Sequence, residues 1–262
     1  MSPFDTLGGA VVALAIIGLF LAETRAPLRG RVRPRGERLA VNAVIGVAAA
    51  LSVRLAIVPV GVAVAGAGVG LLPWVGAPPL LAWPAGLLLL DYTMYVWHRL
   101  NHRVPLLWRF HLVHHTDLDL DVSTAWRFHV GELLLSCGWR ALQVLVIGPP
   151  VAVVLAFEVL FAAATAFHHS NWRLAPRLDG ALAAIVVTPR MHGIHHSTEE
   201  RETNSNWSGI VSWWDRAHRT LALDRPQAAI VIGLPAYRAP LGVRALLMLP
   251  FRRQPPAWPP AT

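Results

Sequence analysis

No lysine occurs anywhere in the 262 residues, and there is one cysteine, Cys137. A single thiol excludes a disulfide framework and a thiolate metal site, so Cys137 reads as a small buried apolar residue. The missing lysine reads as codon bias, because 23 arginines carry all the basic charge and set a formal net charge of +8. Charged residues of both signs make up only 15% of the chain. The HExxH glutamate base of zinc hydrolases is absent. So is any repeat of solenoid period.

Apolar length fills the space left by charge. Hydrophobic residues reach 55% and mean hydropathy is +0.47, above the roughly 45–50% apolar share of soluble domains. The arginines lie beside apolar runs, which fits anionic lipid headgroups and argues against a nucleic-acid partner.

The runs predict an all-α polytopic membrane bundle. Residues 8–22 (GGAVVALAIIGLFLA) form a first span with no basic region before it and no cleavage site after it. Arg25, Arg29, Arg31, Arg33, Arg35 and Arg38 follow, a loop that the positive-inside rule places in the cytoplasm. Residues 39–72 allow one span plus a Gly-rich peripheral piece ending near Pro73, and residues 79–97 return the chain to the cytoplasmic side at His98. Residues 131–167, broken at Gly148-Pro149-Pro150, predict a helical hairpin that delivers His168 and His169 to the same side. The patches at 181–187 and 228–249 read as interfacial, and the Pro-rich tail from Arg252 as disordered.

All twelve histidines fall between His98 and His218. They come in runs: HRLNH (His98, His102), HLVHH (His111, His114, His115), FHHSN (His168, His169) and HGIHH (His192, His195, His196). Spacings of three and four put partners on one helical face. Three such faces converging would offer eight imidazoles, with His168 or His169 as a ninth. One ion takes about four to six ligands, so this number suits two. Every run also ends a predicted span on one side, which supports a single histidine-rich cytoplasmic cap holding a dinuclear site. A pH-sensitive histidine surface would explain neither the spacing nor the clustering. Neutral imidazoles accept zinc, iron, copper or nickel; two irons with open positions suit O2 best, with zinc as an alternative occupant.

The embedded acids have competing readings. Asp91 either orients a ligand imidazole or pairs with Arg54, and Glu158 is open to similar roles. Glu132 reads as a helix-start acid after His129. Asp117, Asp119 and Asp121 read as a solvated loop that also starts a helix. Trp74, Trp97, Trp108, Trp139, Trp172 and Trp207 flank apolar runs and read as an interfacial belt.

At these motifs the chain resembles the fatty acid hydroxylase superfamily, in particular its bacterial sterol desaturase-like branch. The HxxxH, HxxHH and second HxxHH elements match, as do HHTDLDLDVSTAWRFHVGELLLS at 114–136, HSNWRL at 169–174 and NWSGIVSWWDRAHRT at 206–220. The chain departs from the family pattern at Val130 and at His218-Arg219, none of them ligand positions. The resemblance implies metal ligands His98, His102, His111, His114, His115, His169, His192, His195 and His196. All of these except His169 are also expected to be catalytic, with Asp91, His129 and Asn206 in support. It also implies a catalytic domain at 85–225, after N-terminal spans at 1–84 and before an interfacial segment and tail at 226–262.

The implied activity is a multi-pass plasma-membrane di-iron oxygenase. It would hydroxylate or desaturate a lipid (sterol, hopanoid or acyl chain) with O2 and two electrons. No ferredoxin- or cytochrome-like segment lies within these residues, so a separate electron donor is expected. A histidine-based membrane metal transporter or sensor is the alternative, although transport favours ligands deep within spans. A metal-dependent hydrolase would want a base beside a ligand.

Overall fold

The structure is a computed structural model that describes residues 3–258. Among these the chain is helical, with isolated β-bridges in place of strands. Helix α1 spans Pro3–Arg25, α2 Arg35–Ser52, α3 Val58–Gly66 and α4 Leu71–Trp74. A π-helical turn at Val53–Ile57 joins α2 to α3. Then come α5 (Pro79–Arg103), α6 (Pro105–His115), α7 (Val130–Ile147) and α8 (Val151–His169). Short helices complete the chain: α9 (Pro176–Ala183), α10 (Pro189–His195), α11 (Glu200–Thr203), α12 (Trp213–Ala217) and α13 (Val243–Met248).

Five stretches are long and apolar enough to cross a membrane: Leu7–Arg25, Arg35–Trp74, Pro79–Arg103, Val130–Ile147 and Val151–His169. Their outward faces carry Leu14, Ile17, Val47, Leu55, Leu134 and Val146 in the open. Such a surface suits hydrocarbon rather than water. The chain is a multi-pass membrane protein. Inside, Leu90, Met94 and Trp97 of α5 pack with Val144 and Ile147 of α7 and with Val153, Val154 and Phe157 of α8. The expected 131–167 hairpin is α7 and α8, which turn at Gly148 in the left-handed region (φ 67°). A Cβ on Gly70 would sit 2.6 Å from the Gly148 Cα, so only glycines let these two turns meet.

The opposite end of the bundle is polar and closed. Val104 is extended before Pro105, which breaks α5 from α6 and folds α6 across the bundle end. The three aspartates after α6 are buried, not solvated. Arg38 of α2 grips both oxygens of Asp117 at 2.9 Å and Asp121 at 2.7 Å. Asp119 accepts the backbone N–H groups of Val32 and Arg33. Asn42 and Thr124 also donate to Asp117, and Arg127 bonds Asn42 and the Val113 carbonyl. Burial alone would raise the Asp117 carboxyl, but Arg127, Arg38 and Asn42 outweigh it and hold it well below the usual carboxylate range. Asp121 does start a helix, as the sequence suggests, by capping the 3₁₀ turn Val122–Trp126.

The C-terminal segment also departs from expectation. Leu234, Leu246, Leu249 and Ala257 pack against Leu112 and Val113 of α6. Trp258 stacks on Trp108 at 5.6 Å and donates to the Thr198 carbonyl. Residues 252–258 are thus an ordered cover over the cap, held by these apolar anchors despite their proline content; 259–262 lie outside the described residues. The belt reading of the tryptophans fails at Trp207 and Trp97, which are buried, while Trp74 is 83% exposed and fits it. Cys137 is only partly buried.

The Arg38 network predicts its own test. Arg38→Met strands a buried carboxylate and is expected to cost about 3–5 kcal/mol, read as a lowered unfolding midpoint in detergent. Adding Asp117→Asn should recover part of the loss. An unchanged midpoint in Arg38→Met would show that the network does not hold the cap.

Candidate metal centre

Nine imidazoles converge where α5, α6, α8 and α10 meet, and they form two groups. His98, His102, His111, His115 and His195 make one; His114, His169, His192 and His196 make the other. Within each group one ring nitrogen per residue lies within 4.8 Å of the rest. These are the nine positions that the sequence picks out. The two HxxHH runs serve both groups. His111 and His115 face the first group and His114 the second, whereas His192 and His196 face the second and His195 the first. Rings from the two groups approach closely, with His115 and His196 4.4 Å apart centre to centre.

Hydrogen bonds at the back of several rings fix which nitrogen faces inward. His98 Nδ1 bonds the Trp207 carbonyl at 2.9 Å, His195 Nδ1 the Ser205 carbonyl at 2.8 Å and His169 Nδ1 the Thr165 carbonyl at 2.8 Å. His111 Nδ1 bonds Glu132 Oε1 at 2.8 Å. A carbonyl or carboxylate behind Nδ1 holds the proton there and leaves Nε2 with a free lone pair. Burial, helped by neighbouring imidazoles, pushes His114, His115, His192, His195 and His196 well below the ordinary 6.5. They are therefore neutral at physiological pH and able to bind a cation.

The residues fit a metal. Nε2 of His111 and of His195, and both ring nitrogens of His102 and His115, are buried without a protein partner. In the second group, Nε2 of His169 lies 3.0 Å from that of His114 and 2.9 Å from that of His192. His192 Nε2 is also 3.1 Å from His196 Nε2. One proton on His192 serves these neighbours poorly, whereas a cation serves all four lone pairs at once. Metal–imidazole bonds of about 2.0–2.1 Å put tetrahedral nitrogens about 3.4 Å apart, close to this spacing.

The supporting residues depart from the sequence reading in detail. Glu132 does lie in the first turn of α7, as expected, but the cap is His129, its Nδ1 accepting from Gly131 N, and the Glu132 carboxylate holds His111. His129 bonds the Leu247 carbonyl with its other nitrogen and touches none of the nine rings by hydrogen bond. Asp91 accepts from Ile210 N, Val211 N and Trp214 Nε1. It therefore anchors the loop that presents the Trp207 carbonyl to His98, and does not orient an imidazole itself. Asp215 helps by accepting from Trp207 N and Ser208 N. Asn206, at φ 53°, donates to the carbonyls of Met191 and Ala222 and so ties α10 in place. Glu158 pairs with Arg140. His168 lies outside both groups, its ring 4.1 Å from that of His192, and His218 lies against Tyr95. Sequence reasoning missed the backbone carbonyls of Trp207, Ser205 and Thr165, because a carbonyl partner leaves no trace in residue identity.

A cavity opens against the rings of His98, His111, His114, His168, His169 and His192, walled by Met94, Trp97, Leu133 and Phe161. Comparison with known proteins gives this arrangement a family. Residues 83–220 match the family model described as fatty acid hydroxylase. The chain is 30% identical over 169 residues to the ornithine lipid hydroxylase OlsE of Rhizobium tropici, covering 64% of this chain and 50% of that protein. It is 30% identical over 166 residues to human alkylglycerol monooxygenase (62% and 34%), and 30% over 173 residues to human cholesterol 25-hydroxylase (58% and 60%). It thus spans between a third and three fifths of the length of these relatives. No solved structure matches it significantly. With more than half of its length matched by the family model, the chain belongs to the fatty acid hydroxylase family.

Proposed function

We propose that this protein is an integral-membrane, non-haem di-iron oxygenase that hydroxylates a lipid with O2 and two electrons. One observation carries the reading: nine imidazoles, seven of them buried, split into two groups beside an apolar cavity at the ends of membrane-crossing helices. His98, His102, His111, His115 and His195 would hold one iron, and His114, His169, His192 and His196 the other. Bound there, the iron pair would supply the O2 activation needed to oxidise an unactivated C–H bond. The relatives are named hydroxylases and monooxygenases, which favours oxygen insertion over desaturation.

The chain's own residues do the rest. Glu132 and the carbonyls of Trp207, Ser205 and Thr165 keep four rings turned inward. Met94, Trp97, Leu133 and Phe161 exclude water and align a lipid chain against the imidazoles, so that positioning lowers the barrier. The arginine loop lies on the histidine end of the bundle, where the Leu28 and Arg29 amides bond Asn171. By the positive-inside rule that end faces the cytoplasm of a plasma membrane. A soluble ferredoxin- or cytochrome-type donor on that side would deliver the electrons. A metal transporter is less favoured, since the histidines close off the bundle end and do not line a path through it.

Three outcomes test the reading. Purified protein should hold two irons per chain and consume O2 on addition of reductant and lipid. Metal flux into vesicles without oxygen use, or zinc alone in both groups, would sink it. His195→Ala should lose the iron of the five-histidine group and all turnover; full iron with full turnover would show that His195 is no ligand. Glu132→Gln should weaken iron binding about 10–100-fold, measured by chelator competition, with the helical content unchanged.

A further inference from the structure

The cavity beside the histidines encloses about 110 Å³, and its walls are not uniformly apolar. Asn101, Ser136, Arg140 and Thr165 face it too. Arg140, midway along α7, pairs with Glu158 of α8 at 11% and 16% side-chain exposure, and its guanidinium lies 5.1 Å from the Phe161 ring centre. Both residues sit in membrane-crossing helices, where ionisable side chains are expensive and are retained for function. Beyond the pair with Glu158, the Arg140 Nε is buried with no partner, and so are Asn101 Oδ1, Glu132 Oε2 and Thr165 Oγ1. All four residues line the one cavity. Orphaned polar atoms in an apolar bundle are unfavourable until a ligand group completes them.

We propose that Arg140 selects the substrate: its free Nε–H donates to a neutral acyl carbonyl, ester or amide, of the lipid lying against the histidines. This rests on the lipid-hydroxylase reading and narrows it to acyl lipids. Charge favours a carbonyl over a carboxylate. Glu158 already neutralises Arg140, and the Glu132 carboxyl in the same cavity disfavours a second anion. The Thr165 hydroxyl supplies a further donor, and Asn101 Oδ1 accepts from an amide N–H where the lipid has one. A sterol or a dialkyl ether lipid has no carbonyl to offer Arg140, only a hydroxyl or ether oxygen, and the ether oxygen is the weaker acceptor.

The test is a binding competition with the full chain in non-ionic detergent, without reductant, so that no turnover occurs. A pyrene-labelled diacyl phosphatidylcholine is displaced by unlabelled diacyl phosphatidylcholine or by its dialkyl counterpart, which differs only in lacking the carbonyls. The diacyl lipid should compete about tenfold better, the worth of one charge-assisted hydrogen bond. In Arg140→Gln the two lipids should compete equally, with dialkyl affinity unchanged. Glu158→Gln leaves the guanidinium unneutralised and should shift preference toward palmitate over methyl palmitate. Equal competition in the unaltered protein, or a diacyl preference that survives Arg140→Gln, overturns the proposal. Should Arg140→Gln fail to fold, the absence of the palmitate shift in Glu158→Gln overturns it instead. A diacyl preference in protein that never consumes O2 supports this site while sinking the hydroxylase reading; turnover without any carbonyl preference does the reverse.

Discussion

Imidazole nitrogens buried without protein partners are the constraint on which the rest of this structure depends. A buried lone pair that bonds to nothing is costly, and here such nitrogens cluster on His102, His111, His115 and His195. A cation taking up the lone pairs would remove that cost. The surrounding structure is arranged to keep the rings turned inward and dry: carbonyls behind His98, His169 and His195, a carboxylate behind His111, and the C-terminal segment closed over α6.

Two solvents divide the molecule. The helices present leucines and valines outward and are tied to one another by scattered polar contacts, among them Arg140–Glu158 and the bonds of Gln143 and Trp139 to Thr93. The cap does the opposite, burying Arg38, Arg127, Asp117 and Asp121 in one network. Its role is positional. Asp117 follows His115 by two residues, so gripping it from α2 fixes the last turn of α6 and the two rings, His114 and His115, that this turn carries.

Much of this was legible in the sequence. Long apolar runs and the Gly-Pro-Pro break give the spans, because hydrocarbon leaves a helix few alternatives. Histidine spacing gives eight of the nine converging positions, because i+3 and i+4 residues share a face, and the family resemblance chooses His169 over His168 as the ninth. The failures have a common cause. Asp117, Asp119 and Asp121 look solvated until Arg38 and the Val32 and Arg33 amides arrive from 79 to 87 residues away. Glu132 looks like a cap until His129 takes that place. The Pro-rich tail looks disordered until Trp258 meets Trp108. Local pattern reports what a residue can do, and partners distant in sequence decide what it does.

The crossed assignment of the two HxxHH runs has a mechanical consequence. Since α6 and α10 each contribute rings to both groups, the separation between the two groups is set by single helical turns, each rising 1.5 Å per residue, and not by how whole helices dock. Neither pocket can be distorted alone. Filling one would stiffen both helices and remove ordering cost from the other, so a pair of ions bound there would load together and keep a fixed spacing.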